Sequence, residues 1–255
     1  MINNNSVPPF RIKLADVVIR IEPMFNYIGE YCEDYMTEEE AEFAIRTEAE
    51  DIIFERKRSA KEEGYDENVG INYSDSYLET LAVYRQIAEY FPTLNTVLVH
   101  GSVIAVDGVG YLFTAKSGTG KSTHTRLWRE QFGSRATMIN DDKPLLKITE
   151  DGVLAYGTPW NGKHRLGTNT SVPLKAICVL TRDEKNHIEE IKPREVYQML
   201  LQQTYRPLDS EAMMQTLRLL DLLMKNIKFY KLGCNMDLDA VKVAFSGMNG
   251  GMICD

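Results

Sequence analysis

The sequence has few cysteines, few histidines and no excess of basic residues, and each shortage excludes a class of protein. Its 255 residues include four cysteines and four histidines, and no two cysteines form a Cys-x-x-Cys pair. A zinc site or a disulfide framework normally shows regular cysteine spacing, so we expect reduced thiols instead. The formal net charge of −8 argues against a nucleic-acid-binding protein, because phosphate backbones are bound by clustered lysines and arginines.

Long apolar runs and a targeting segment are also missing. No run is apolar for long enough to cross a bilayer. The first ten residues, M-I-N-N-N-S-V-P-P-F, have neither the basic start nor the apolar stretch of a signal peptide. With 44% hydrophobic and 26% charged residues, the composition is that of a chain that buries a core. We therefore predict a cytoplasmic protein with no nucleic-acid partner and no membrane partner.

The most informative motif is A-K-S-G-T-G-K-S-T at residues 115–123, directly after the apolar run of residues 109–114. Its glycines let the backbone curl so that several N–H groups face one anion. In this pattern Lys121 reaches the β- and γ-phosphates, and the Ser122 hydroxyl binds Mg²⁺. The helix predicted after the loop directs its positive end at the same phosphates. We predict an ATP and Mg²⁺ site formed by Ser117, Gly118, Thr119, Gly120, Lys121, Ser122 and Thr123.

An acidic pair follows the next predicted strand. Residues 136–139 form that strand, and Asn140, Asp141 and Asp142 come directly after it. An apolar strand that ends in acid beyond a phosphate-binding loop is typical of the second half of a Mg²⁺–nucleotide site. One carboxylate would bind the metal, and the other would accept a proton from an attacking hydroxyl. A solvated turn is the alternative.

Two basic features are further candidates for the site. The loop G-T-P-W-N-G-K-H-R at residues 157–165 places Lys163 and Arg165 where they could contact a phosphate or an acidic substrate. The alternative is a surface loop that happens to be basic. His100 lies in a strand next to the one that leads to the phosphate-binding loop. It is either a packed core residue or part of the site. His124, on the predicted loop helix, is expected near the nucleotide.

The strand pattern predicts hairpins around the loop. Residues 96–106 and 109–114 are strand-like, and Asp107-Gly108 between them is a hairpin turn signal. Ordinary phosphate-loop NTPases have parallel strands linked by crossover helices. A second hairpin is predicted around Asp151-Gly152. We predict one α/β domain with a mixed, largely antiparallel sheet and an embedded phosphate-binding loop. Its parts are an N-terminal portion (1–95), a nucleotide-binding core (96–192) and a C-terminal helical portion (193–255).

Local patterns also make four predictions outside this core. They are strands at residues 43–47 and 51–56, a charged loop at 57–68, a helix at 74–91 capped by Ser76 and Glu79, and pairing of strand 187–192 with strand 174–181.

The motifs together resemble the kinase core of bacterial HPr kinase/phosphorylase. The segment L-V-H-G-S-V-I-A-V-D-G-V-G-Y-L-F-T-A-K-S-G-T-G-K-S, followed by M-I-N-D-D, carries the resemblance, which covers residues 96–148. The same segment is similar, more distantly, to phosphoenolpyruvate carboxykinase. The resemblance implies that Lys121 and Ser122 bind phosphate and metal, that Asp141 is the base for a serine hydroxyl, that Asp142 assists with metal or substrate, and that His100 lies near the reacting phosphate.

These patterns lead to a kinase as the expected function. We expect ATP- and Mg²⁺-dependent transfer of the γ-phosphoryl group to a hydroxyl, with a serine of a small protein or peptide as the best acceptor. Two alternatives stay open: a small-molecule kinase in the same fold, and a nucleotide-binding sensor that transfers no phosphate. The nucleotide preference and the oligomeric state, with a homo-oligomer among its possibilities, also stay open.

Overall fold

A computed structural model describes residues 7–62, 73–162 and 164–251. The chain forms two compact units, Met1–Tyr90 and Phe91–Asp255. The sequence predicted one domain whose N-terminal portion ends at residue 95, and the single domain stays a prediction.

The first unit combines a three-stranded sheet with three helices. Strand β2 is central, since it pairs antiparallel with β1 and parallel with β3. Buried aliphatic side chains on β1 and β2, Ile12 and Ile19 among them, form the core of this unit. The elements are β1 (Phe10–Leu14), β2 (Val17–Glu22), α1 (Tyr27–Tyr31), β3 (Phe43–Arg46), α2 (Ala49–Glu62) and α3 (Asp75–Tyr90).

Residues 51–56 were predicted as a strand, and that prediction is wrong because they lie in helix α2. Ile52 is 7% exposed whereas Ile53 is 53% exposed, and the buried Glu55 comes three residues after Ile52. That spacing is helical, but a short apolar run does not by itself distinguish a strand from a helix. The predicted loop at residues 57–68 is also wrong as far as Glu62, where α2 ends. The rest of that predicted loop, residues 63–68, lies outside the described residues.

The start of α3 also differs from the prediction. The Ser74 hydroxyl accepts a hydrogen bond from the backbone N–H of Tyr77 at 3.2 Å, which makes Ser74 the capping residue. The predicted cap of Ser76 and Glu79 is therefore wrong. Glu79 is fully buried, and its carboxylate accepts hydrogen bonds from other segments of the first unit.

The second unit contains a nine-stranded mixed sheet with the order β4-β8-β9-β10-β6-β5-β7, in which β12 pairs with both β10 and β11. Only the pairs of β10 with β6 and with β12 are parallel among the described strands of this sheet. The predicted mixed, largely antiparallel sheet is therefore confirmed. The strands are β4 (Thr96–Leu98), β5 (Ser102–Val106), β6 (Val109–Thr114), β7 (Ala136–Asn140), β8 (Leu145–Thr149), β9 (Gly152–Tyr156), β10 (Ser171–Arg182), β11 (His187–Ile191) and β12 (Lys228–Cys234), and the helices are α4 (Lys121–Phe132), α5 (Pro193–Gln203), α6 (Ser210–Asn226) and α7 (Asp239–Met248).

Both predicted hairpins form. In the β5–β6 hairpin, Asp107 and Gly108 have positive φ angles of 52° and 79°, as a tight two-residue turn requires. The β8–β9 hairpin is antiparallel around Gly152. The predicted strand 96–106 is instead broken after β4, which pairs with β8 while β5 pairs with β6. Gly101 lies at the break, where an added Cβ would be 3.0 Å from the Phe113 carbonyl oxygen.

The predicted pairing of strand 187–192 with strand 174–181 is wrong. Strand β12 returns after α5 and α6 and lies between the two, parallel to β10 and antiparallel to β11. It is the more apolar strand, with Phe229 and Leu232 buried, whereas β11 has no fully buried residue. The interior position therefore buries more apolar surface when β12 occupies it.

Helices cover both faces of this sheet. Successive residues of β5 point to opposite faces of the sheet. Val103 packs in the core on one face, and Ile104 packs in the core on the other face. Leucines of α5 and α6 cover the first face, and α4 and α7 cover the second, where Trp128 is fully buried. Across the described parts of the chain, no helix is long and apolar enough to cross a membrane.

Candidate functional site

A glycine-rich loop, residues 115–120, connects β6 to α4. Gly118 and Gly120 have φ angles of +75° and +123°, and L side chains rarely adopt such conformations. Lys121 begins α4, and its Nζ is 3.4 Å from the carbonyl oxygen of Ala115 at the start of the loop. The motif therefore has the strand–loop–helix context that its pattern requires.

Lys121 is close to other charged side chains. Burial lowers the pKa of Lys121, and the nearby positive charge of Lys143 acts in the same direction. The carboxylates of Asp141 and Asp142 oppose both effects. The lysine and the acidic pair, 20 and 21 residues apart in the sequence, line the same cavity and are neighbours in the fold.

A buried asparagine shapes the turn that holds the acidic pair. Asn140 is fully buried at the end of β7, and its Oδ1 accepts hydrogen bonds from the backbone N–H groups of Asp142 at 2.9 Å and Lys143 at 2.6 Å. Its Nδ2 donates to the Thr158 hydroxyl oxygen at 3.0 Å. Sequence reasoning missed this role, although an asparagine two residues before its backbone partner is the usual signal of such a turn.

Asp141 is held by a buried serine. Ser102 is fully buried, and its hydroxyl lies 3.0 Å from both the backbone oxygen and Oδ1 of Asp141. Asp141 is itself 7% exposed. A Cβ added at Gly162 would lie 3.8 Å from Asp141 Oδ2, so the backbone at Gly162 passes close to the pair. Sequence reasoning missed Ser102 as well, since no local pattern connects it to a residue 39 positions away.

Asp142 contacts two basic side chains. Its Oδ1 is 3.3 Å from His100 Nε2 and 3.7 Å from Lys143 Nζ. Burial lowers the pKa of His100 to about 4, helped by the charges of Lys143 and Lys121 and only partly opposed by Asp142. Asp142 is therefore placed between the imidazole of His100 and the ammonium of Lys143.

His100, Lys121 and the acidic pair line one polar cavity of about 480 Å³. Gly162 and His164 complete its wall. Thr119 and Arg165 do not line it, and Lys163 lies outside the described residues. The roles assigned to all these residues stay predictions. The predicted site residues that share the cavity are His100, Ser117, Gly118, Gly120, Lys121, Ser122, Thr123, Asp141 and Asp142.

His124 is more buried than the sequence suggested. It is 3% exposed on the first turn of α4, and its Nε2 accepts a hydrogen bond from the Trp128 indole at 3.0 Å. Burial lowers its pKa to about 4. Trp160, in the loop after β9, is also buried and packs inside the unit.

The donor set fits a magnesium ion bound together with a nucleotide. Among the described residues, no group of three or more His, Cys, Asp or Glu side chains could hold a metal by itself. Ser122 and Asp142 nevertheless line the same cavity. Mg²⁺ is usually held by one or two protein oxygens, with phosphate oxygens and waters completing its coordination.

Comparisons with known proteins give a distant similarity. No protein-family model and no curated protein matches the chain, whereas 49 chains of solved structures do. One is the HPr(Ser) kinase/phosphatase from Coxiella burnetii, which is 10% identical. The match covers 60% of this chain and 95% of that chain, with a TM-score of 0.36. A similarity this distant carries no argument about function.

Proposed function

We propose that the chain is an ATP- and Mg²⁺-dependent phosphotransferase whose acceptor is a hydroxyl group, namely a serine of a small protein or peptide. The observation that supports it is the single polar cavity shared by the glycine-rich loop, Lys121, His100 and the Asp141–Asp142 pair. Phosphoryl transfer needs positioned phosphates, a metal site and a base for the acceptor. Serine as the acceptor rests on the resemblance of residues 96–148 to a kinase core.

The loop and the start of α4 would hold the phosphates. Ser117, Gly118, Gly120 and the positive end of α4 line the cavity together, and both the loop and the helix end favour a bound anion. Lys121 Nζ has a long 3.4 Å contact with the Ala115 carbonyl. A negatively charged phosphate oxygen is a stronger acceptor for the Lys121 ammonium than this carbonyl oxygen is.

Asp141 would accept the proton of the attacking hydroxyl. Ser102 holds its Oδ1 at 3.0 Å, so the orientation of this carboxylate is set before the substrate binds. Ser122 and Asp142 would hold Mg²⁺, which when bound neutralises charge on the phosphate oxygens. His100, whose Nε2 lies 3.3 Å from Asp142 Oδ1, would help to keep that second carboxylate in place.

Transfer of label tests this proposal. The purified protein is incubated with Mg²⁺, γ-labelled ATP and an extract of its source cells. We expect label to enter a protein or peptide with the wild type and not with Asp141→Asn, while both bind ATP. Asp151→Asn, at an exposed position in the β8–β9 turn, is the matched control and should transfer like the wild type.

Each of the other outcomes would contradict a different part of the proposal. Label in a metabolite would identify a small-molecule kinase. ATP binding without any transfer would favour the nucleotide sensor. Transfer by Asp141→Asn at the wild-type rate would remove Asp141 as the base.

A further inference from the structure

A second cavity, of about 490 Å³, adjoins the same glycine-rich loop. It shares Gly118, Gly120 and Thr123 with the polar cavity and extends to the ends of β10 and β12. Its volume lies within the usual range for small-molecule sites. A ligand whose phosphates lie on the loop therefore has a second space directly next to it.

The sheet topology places this second cavity at the carboxyl ends of parallel strands. Strand β10 lies between β6 and β12 and is parallel to both. Strand β6 continues into the loop. The carboxyl ends of β10 and β12, at Arg182 and Cys234, line the cavity. Ligands of α/β sheets typically bind outside the carboxyl ends of parallel strands.

The wall of the second cavity suits a flat ring of low polarity. Leu127, Leu180 and Met236 contribute apolar surface. Two of its polar side chains are engaged within the protein, since the Thr181 hydroxyl donates to the Leu232 carbonyl at 3.2 Å and the Asn235 amide donates to Asp237 at 2.9 Å. Aromatic heterocycles bind such surfaces mainly through apolar burial.

His124 adds a hydrogen-bond donor at this wall. An indole N–H can only donate, so the bond from Trp128 makes His124 Nε2 an acceptor and leaves the proton on Nδ1. This Nδ1 is buried and has no hydrogen-bond partner among the described residues. A buried donor without a partner is costly, and a ring nitrogen of a bound heterocycle would satisfy it.

Arg182 connects the loop to the rim of the second cavity. Its guanidinium donates to the carbonyl oxygens of Gly118 at 2.5 Å and Thr119 at 3.3 Å. These bonds occupy carbonyl groups of the loop, and they hold the loop against the end of β10. The two cavities therefore meet at a fixed segment of backbone.

We infer that the second cavity is the subsite for the nucleobase and ribose of a nucleoside triphosphate whose phosphates occupy the polar cavity. This inference rests on the proposed function, because it takes the loop as the phosphate site. It adds the residues that recognise the nucleoside: Leu127, Leu180 and Met236 contact the base, and His124 donates to it.

Comparison of ATP with inorganic tripolyphosphate tests the inference by calorimetry. Burial of a base should make the wild type bind ATP about tenfold or more tightly than tripolyphosphate. Cys234→Trp narrows the cavity, so it should lower ATP affinity about tenfold while tripolyphosphate affinity stays within about twofold. Met214→Trp, at an exposed position on α6, introduces the same side chain elsewhere and should bind both ligands like the wild type.

The outcomes separate the inference from the proposed function. Equal affinity for ATP and tripolyphosphate, unchanged by Cys234→Trp, would overturn the nucleoside subsite and leave the phosphate site standing. Binding of neither ligand by the wild type would overturn both.

Photolabelling gives a second measurement that needs no variant. The wild-type protein is irradiated with 8-azido-ATP and digested, and the labelled peptides are identified by mass spectrometry. We expect label in residues 180–183 or 234–236, and its loss with excess ATP. Label confined to peptides outside the second cavity would overturn the inference.

Discussion

At the residue scale, uncharged side chains determine where the charged ones lie. Asn140 fixes the turn that holds the acidic pair, and Ser102 fixes the Asp141 carboxylate. Both are fully buried, so neither competes for the ligand. The sequence pattern identified the acids because their type and position are unusual beside a phosphate-binding loop. It could not identify Ser102, because that contact exists only once β5 and β7 are paired.

Ser102 offers a test of how Asp141 is positioned. Ser102→Ala removes a hydrogen bond to the ionised carboxylate, so we expect kcat to fall about tenfold with KM for ATP within about twofold. Ser102→Thr keeps the hydroxyl and should restore kcat. An unchanged kcat in Ser102→Ala, or a parallel loss of kcat and of ATP binding, would contradict this positioning role.

His124 makes stability depend on pH. Burial lowers its pKa from 6.5 to about 4, so between these values the unfolded chain binds a proton that the folded chain does not. Stability should therefore fall as the pH drops through this window. From pH 7 to pH 5, the wild type should lose about 1–2 kcal/mol more free energy of unfolding than His124→Gln.

Urea denaturation at the two pH values measures this difference. Glutamine keeps an acceptor for the Trp128 indole, and His187→Gln, at an exposed position, is the control that should retain the wild-type loss. Equal pH dependence in the wild type and His124→Gln would contradict the prediction.

At the element scale, strand pairing brings the parts of the site together. The pairing of β5 with both β6 and β7 places the end of β7 beside the loop that follows β6. The break between β4 and β5 adds His100, and the backbone N–H of Gly101 donates to the Asp142 carbonyl at 3.0 Å. The turn of each hairpin was readable from local residues, but the order of the strands was not.

In the first unit, one buried carboxylate of α3 links three segments. Glu79 accepts hydrogen bonds from the backbone N–H groups of Met24 at 2.5 Å and Phe25 at 3.0 Å, and from the Thr47 hydroxyl at 2.5 Å. Glu79→Ala leaves these buried donors without a partner, so we expect a loss of about 3 kcal/mol in the free energy of unfolding. Glu50→Ala, at an exposed position on α2, should change it by about 0.5 kcal/mol or less. Equal effects in denaturant titrations would show that the Glu79 contacts do not stabilise the unit.

At the scale of the whole molecule, ligand binding should stabilise the unit that contains the loop. A ligand at 100 times its Kd stabilises the folded state by about 2.7 kcal/mol. We expect Mg²⁺ and ATP to raise the Tm of the wild type and of Lys225→Ala, which removes an exposed lysine on α6. Lys121→Ala should show little or no shift, because the phosphates lose their charged partner. An undiminished shift in Lys121→Ala, by calorimetry, would contradict the assigned role of this lysine.

The sequence by itself determined the features that depend on neighbouring residues. The glycines of residues 115–120 and the Asp107-Gly108 turn need particular φ angles, and short apolar runs on either side of that turn marked the hairpin strands. Only the tertiary structure decided that 51–56 is helical, that β12 lies between β10 and β11, and that His100, Lys121 and the acidic pair share a cavity. These outcomes depend on which distant segments bury each other's apolar surface, and no local pattern specifies that pairing.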